Sequence, residues 1–227
     1  MALLINPFKF AAAGPSDNPV NYPSLVRDWR SDAYSLPDGT TISADWTGAN
    51  GMPNAVLTGS PPVFRTAQFG SMPAIRFSAP QYFTHPALVL AGDFTIAIVT
   101  VQGGDFIFLS NSSGNYQVRR CQSGGDNLAF HPNAATVTAN YGVGVITDPR
   151  VSVWRRSAGV MDFRVNKTTF AGGATSDTMN TNQLGLADGG PDDGWVGEVC
   201  IWTSVLSDAN LDALYDNYFK MVFTNLP

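Results

Sequence analysis

The run Gly194-Trp195-Val196-Gly197-Glu198-Val199-Cys200-Ile201-Trp202 is followed directly by Thr203-Ser204-Val205-Leu206-Ser207-Asp208-Ala209-Asn210-Leu211. β-Branched and aromatic residues crowd the first part between a Gly-rich loop and a turn, so it reads as a strand. The second part reads as a helix start. Ser207 can cap the free amides of the first turn, Asp208 places negative charge at the positive end of the helix dipole, and Leu206 can staple onto Leu211. Leu211, Leu214, Tyr215, Tyr218 and Phe219 then fall at i, i+3, i+4, i+7 and i+8, a single apolar stripe. A short helix is therefore expected to close onto a sheet.

The chain upstream reads as further strands. Phe94, Ile96 and Ile98 alternate with Thr95, Ala97 and Val99, which predicts a strand covered on both faces. Phe106–Leu109, Tyr116–Val118 and Leu128–Phe130 are short apolar runs separated by Gly, Ser and Asn, the pattern of a β-meander. Val151–Trp154 and Met161–Val165 flank Ser157-Ala158-Gly159, which suits a hairpin turn. Met161, Phe163 and Val165 should face the core, with Asp162 and Arg164 outward. Strands at these intervals with one terminal helix predict a two-sheet antiparallel sandwich.

Composition narrows the function classes. A hydrophobic content of 44% in 227 residues is enough for one sizeable core, and 22 Gly with 15 Pro favour many short strands and turns. No apolar run reaches the 18 residues needed to span a bilayer, so no membrane partner is expected. The start Met1-Ala2-Leu3-Leu4-Ile5 has no basic stretch and meets Asn6-Pro7 too early for an export signal. A net charge of −5, with basic residues dispersed except for Arg119-Arg120 and Arg155-Arg156, argues against a nucleic-acid partner. Each Arg pair is expected to point one side chain to solvent and the other over an apolar or acidic neighbour. Cys121 and Cys200 lack metal-ligand spacing; a disulfide or two thiols, with Cys200 buried in its strand, both fit.

Residues 1–23 differ from the rest. Leu3, Leu4, Ile5, Phe8 and Phe10 form an apolar cluster, and the breakers Gly14-Pro15 and Asn18-Pro19 follow. This reads as an extended arm that either packs on its own domain as an edge strand or docks on a neighbouring subunit. Residues 24–227 form one domain.

In motif order the chain resembles LamG-like domains, the concanavalin A-type jelly rolls. Their last strand and capped helix correspond to Glu198-Val199-Cys200-Ile201-Trp202 and Leu206-Ser207-Asp208-Ala209. Pro73-Ala74-Ile75-Arg76-Phe77, Phe94-Thr95 and Phe163-Arg164-Val165-Asn166 match the family's earlier strands, and the similarity spans about residues 24 to 220. Ile5-Asn6-Pro7-Phe8-Lys9-Phe10 is similar to the opening of such domains in tailed-bacteriophage virion proteins. The resemblance implies an all-β, two-sheet antiparallel jelly-roll sandwich with one short C-terminal helix and an extended N-terminal arm.

Hydrolysis in this superfamily uses paired carboxylates on one strand, yet Glu198 is the single glutamate of the chain. Its strand position suits a structural hydrogen-bonding role. His85 and His131, each followed by Pro, read as solvated loop residues, and no Gly-x-Ser-x-Gly elbow or phosphate-cradling loop is present. The expectation is a non-catalytic protein.

Two binding chemistries remain. LamG-like domains often hold one Ca²⁺ at the sandwich rim, and Asp188, Asp192 and Asp193, with Asn182 nearby, offer oxygens on a Gly-rich loop. Acidic turns of this kind are also commonly just solvated, so no obligatory cofactor is expected. Carbohydrate recognition needs an aromatic platform flanked by planar polar groups. Trp195 beside the acidic loop and Tyr141 beside Asn140 are the best-placed rings, whereas Trp29, Trp46, Trp154 and Trp202 should fill the core. The resemblance therefore implies a non-catalytic virion component, a decoration, fibre or tail-associated protein assembled in the host cytoplasm. Its arm would mediate contacts with other virion proteins or with copies of itself. The alternative is a lectin-like module that recognises a host surface glycan, with or without Ca²⁺.

Overall fold

The computed structural model describes residues 17–78, 80–102, 106–111, 117–122, 125–131, 136–142, 148–185 and 193–227. The strands in chain order are β1 (Leu25–Arg30), β2 (Val56–Leu57), β3 (Val63–Phe69), β4 (Met72–Ser78), β5 (Tyr82–Leu90), β6 (Phe94–Gln102), β7 (Phe106–Ser110) and β8 (Gln117–Gln122). They continue with β9 (Gly125–His131), β10 (Val137–Gly142), β11 (Arg150–Ser157), β12 (Val160–Val165), β13 (Thr168–Ala174), β14 (Met179–Gly185) and β15 (Asp193–Trp202). Helix α1 (Asp208–Leu214) follows.

The strands form two antiparallel sheets. The larger runs β13-β12-β11-β6-β15-β4-β3, with β1 also pairing β15; the smaller runs β10-β9-β8-β7-β14-β5-β2. The predicted three-stranded meander is the β7-β8-β9 ribbon, each strand paired with the next, and β10, which the sequence reading does not include, extends it. The hairpin between β11 and β12 is also as expected: Ala158 and Gly159 both take positive φ, 49° and 79°, the geometry a two-residue turn needs to match strand twist.

Strand β6 shows why the fold has two cores. All of Phe94 to Thr100 is buried. Phe94, Ile96 and Ile98 join the cluster between the sheets, with Trp29, Trp46, Trp154, Met161, Phe163 and Val165. Ala97 and Val99 face the other way, into a cluster with Cys200, Trp202, Leu211, Leu214, Tyr215, Tyr218 and Phe219. The apolar stripe of the terminal helix therefore covers the outer face of the larger sheet, and each fully buried aliphatic or Phe side chain adds about 1.5–3 kcal/mol.

The helix begins as its sequence requires, with Ser207 Oγ accepting from the Asn210 amide at 3.2 Å. It departs from a uniform α-helix at Tyr215–Phe219, which widens to a π turn before Lys220–Val222. Among the described residues no helix is long and apolar enough to cross a membrane. Of residues 1–23, Leu3, Leu4, Ile5, Phe8 and Phe10 lie outside the described residues. Asp17 bonds the Tyr22 hydroxyl and the Asn217 amide, and the Trp202 indole donates to the Pro19 carbonyl at 3.4 Å.

Several local expectations are corrected. Neither arginine of the 155–156 pair reaches solvent. Arg155 lies on the helix side with Asp162 and Asp208, while Arg156 enters the core over Phe94 and donates to the carbonyls of Leu90, Gly92 and Asp177. Strand alternation sends the two to opposite faces; Arg156 is covered inside the sandwich, and Arg155 by the segment at Leu206 and Asp208 that leads into the helix. His85 is not a solvated loop residue either. It sits 5% exposed in β5, beside the break in β5–β14 pairing where Pro86 withholds its N–H. His131 is half-buried in β9.

Candidate functional site

The edges of the two sheets meet on one side of the sandwich, where β10 of the smaller sheet packs beside β13 of the larger. A cleft of about 300 Å³ opens there, lined by Tyr141, Asp148, Arg150, Val165, Asn166, Thr168, Phe170 and Pro227. Tyr141 and Phe170 supply its aromatic walls, one ring from each sheet, with centroids 6.0 Å apart and planes inclined at 57°. The Arg150 guanidinium lies 5.9 Å from the centre of the Tyr141 ring, within the range of cation–π attraction.

One part of the lining is held by a turn and its hydrogen bonds. Asn166 occupies the left-handed region, φ 55°, in the turn from β12 to β13. Its Oδ1 accepts from the Val151 amide at 3.0 Å, and its own amide donates to the Val151 carbonyl at 2.8 Å. Both groups thus fasten the turn to β11, and Asn tolerates this φ better than most residues. The Tyr215 hydroxyl donates to the carbonyl of Pro227, another lining residue, which ties that part of the lining to the C-terminal helical segment. Two inclined rings, a guanidinium, a carboxylate, a carboxamide and a hydroxyl around one small concavity offer apolar faces for C–H groups and polar edges for hydroxyls.

Of the residues singled out from sequence, Tyr141 lines this cleft and Asn140 is exposed beside it on β10. Trp195 does not join them. It is half-buried on the outer face of the larger sheet, under the Arg65 guanidinium at 5.7 Å. Asp188 and Asp192 lie outside the described residues. Asp193 opens β15 opposite Ser78, and its side chain also lies outside them. Asp148, Arg150, Asn166, Thr168 and Phe170 join the lining without being among the sequence candidates. Phe170 does not stand out in the sequence, because the cleft exists only where two sheet edges abut.

Glu198 is fully buried and accepts the Tyr218 hydroxyl at 2.9 Å, a hydrogen-bonding role inside the fold.

No protein-family model matches the sequence, and no curated protein sequence matches it. Solved structures do share its fold. Domain 4 of AbnA, a GH43 extracellular arabinanase from Geobacillus stearothermophilus solved with arabinotriose, gives a TM-score of 0.63 at 12% identity, over 85% of this chain and 98% of that one. Trypanosoma rangeli sialidase, in complex with a difluoro-KDN, gives 0.57 at 12% identity over 89% of this chain and 34% of that one. The binding domain of botulinum neurotoxin DC in complex with SialylT gives 0.58 at 9% identity over 86% and 51%. Identities this low show a common β-sandwich fold, and the chain spans about a third of the sialidase and half of the toxin chain.

Proposed function

We propose that the chain is a lectin-like carbohydrate-binding module that binds glycan in the Tyr141–Phe170 cleft without turning it over. The observation that carries this reading is the cleft itself: two inclined aromatic rings beside Arg150, Asp148 and Asn166. A pyranose or furanose ring has apolar C–H faces and polar edges, and such a wedge addresses both. The fold neighbours support it, since an arabinanase domain solved with arabinotriose and a toxin binding domain solved with SialylT share the sandwich. Glu198, the single glutamate, is committed inside the fold and is not offered to a substrate.

The finer assignment, a LamG-like virion protein, is carried by motif resemblance and by Ile5–Phe10, which lie outside the described residues. The glycan reading has the cleft and the fold neighbours behind it and takes precedence. Ca²⁺ held by Asp188, Asp192 and Asp193 would be an accessory to it.

The test is binding of the purified chain to an array holding arabino-oligosaccharides and sialylated oligosaccharides, with titration calorimetry on the glycans retained. Tyr141→Ala and Phe170→Ala should each weaken binding at least about tenfold, the loss of roughly 1.4 kcal/mol expected for one stacked ring. Trp195→Ala should leave affinity unchanged, and no sugar should be released on prolonged incubation. Unaltered affinity in both cleft variants, or no glycan retained at all, overturns the reading. Repeating the titration in EDTA tests the role of Ca²⁺.

A further inference from the structure

Beneath the C-terminal helical segment, on the outer face of the larger sheet, two carboxyl groups and a thiol meet out of solvent. Asp28 on β1 pairs with Cys200 on β15, and Arg30 pairs with Glu198, so antiparallel register brings all four to one spot. Asp28, Glu198 and Cys200 are 1%, 0% and 0% exposed, and each has a ligand-type atom within 4.8 Å of the others. Glu198 Oε1 accepts from the Tyr218 hydroxyl at 2.9 Å and from Cys200 Sγ at 3.3 Å. Asp28 Oδ2 accepts from Asn50 Nδ2 at 3.0 Å. Glu198 Oε2 is buried with no donor directed at it. Among the described residues, the charged and titratable groups facing Glu198 are Asp28 and Arg30 on β1, Cys200 on β15 and Tyr218 on the helical segment; Asp32, just after β1, faces Asp28 and Arg30. Arg30 is clasped by Asp32 and lies 5.9 Å from the centre of the Tyr218 ring.

Two ionised carboxylates at this distance in a dry interior repel, and one guanidinium, itself shared with Asp32, balances a single charge. Two carboxylate oxygens are both acceptors, so they bond to each other when one carries a proton. We propose that Asp28 and Glu198 hold one proton between them at neutral pH, Glu198 as the neutral acid, and that this proton latches edge strand β1 and the C-terminal helical segment onto β15. Burial, and secondarily the charge on Asp28, pushes Glu198 well above the usual carboxylate range, against the pull of Arg30, Tyr218 and Cys200. Asp28 is raised by its own burial, with Asn50 and Arg30 opposing. A divalent ion held by the same three groups would need the Cys200 thiolate, which burial and the Glu198 carboxylate disfavour. A proton needs no added space.

The chain offers its own probe, because Glu198 is its single glutamate. Protein labelled with δ-¹³C-glutamate should give one side-chain carboxyl resonance, at the neutral-acid position at pH 7 and moving to the carboxylate position at alkaline pH. In Asp28→Asn that transition should fall by about one to three pH units, the effect of removing an adjacent like charge. Independently, Glu198→Gln keeps the shape of the neutral acid, so its melting temperature should rise relative to the native chain as pH climbs from 6.5 to 9. A carboxylate resonance at pH 7, a gap in melting temperature that does not change with pH, or a resonance that shifts and a melting temperature that rises on adding Zn²⁺ overturns the proposal. The first and third readouts use the native sequence, so a variant that fails to fold does not spoil the test.

Discussion

The indole Nε1 of Trp154 donates to the backbone carbonyl of Ala129 across 3.0 Å, a hydrogen bond that runs from β11 of the larger sheet to β9 of the smaller. Trp154 is fully buried and meets Phe108 edge to face at 5.5 Å. One side chain therefore supplies both apolar filling and a polar tie across the sandwich. Trp154→Phe should lose about 2–3 kcal/mol from the missing donor and the small void left behind. Urea unfolding should show a lower midpoint with an unchanged slope, since the same surface is exposed.

Gly197 sits where β15 slips register against β6, and a Cβ placed there would lie 2.7 Å from Phe223 Cε1 and 3.0 Å from Phe69 Cε2. Those two rings meet edge to face at 5.4 Å and are fully buried, so neither can move aside without disturbing the other. Gly197→Ala should cost about 1–3 kcal/mol by overpacking. In a Phe223→Leu background the penalty should shrink, which a thermal double-mutant cycle measures.

Asp208, Asp212 and Asp216 recur every fourth residue along the helical segment and meet Arg155 and Arg164 on the sheet beneath and Lys167 in the β12–β13 turn. Arg164 is nearly enclosed, its side chain 2% exposed, whereas its aspartate partners face solvent. Arg164→Met should cost about 1–3 kcal/mol, mostly through the guanidinium's lost hydrogen bonds, because the aspartates simply rehydrate. Lys167→Ala, at an exposed pair, should leave the melting temperature unchanged.

His85 is buried against Trp29, ring centroids 5.1 Å apart. Burial, reinforced by the Arg27 charge and opposed by the bond to the Pro86 carbonyl, lowers its pKa to about 4. The unfolded chain takes up that proton near pH 6.5, so the stability His85 confers is complete above pH 6.5 and is lost as pH falls toward 4, roughly 3 kcal/mol in all. The raised Glu198 acts with the opposite sign, its contribution complete below the ordinary carboxylate range and lost as pH rises. Between about pH 4.3 and 6.5 the two partly cancel. Stability should therefore fall more steeply on acidification in Glu198→Gln than in the native chain, and less steeply in His85→Phe, as followed by chemical unfolding at stepped pH.

Much of the architecture is legible locally. The alternation of Phe94 to Val99 announces burial on both faces, Ser207 and Asp208 announce a helix start, and Ala158-Gly159 announces a tight hairpin. Such features depend on residues within a turn or two of each other, where side-chain period and backbone preference act directly. The widened turn at Tyr215–Phe219, the enclosure of both Arg155 and Arg156, and the burial of His85 depend on what lies across the fold, and no local period carries them.

The chain's own pattern of residues fixed an antiparallel sandwich, a helix laid on one face, and Tyr141 as a ring worth watching. Pairing between distant strands fixed the rest. Tyr141 acquires Phe170, Arg150 and Asn166 because the edges of two sheets abut, and Asp28 reaches Cys200, 172 residues away, because β1 pairs antiparallel with β15. Side-chain period tells which face of a strand is apolar; which strand lies beside it is set by the packing of the whole chain, and both sites arise from that choice of neighbours.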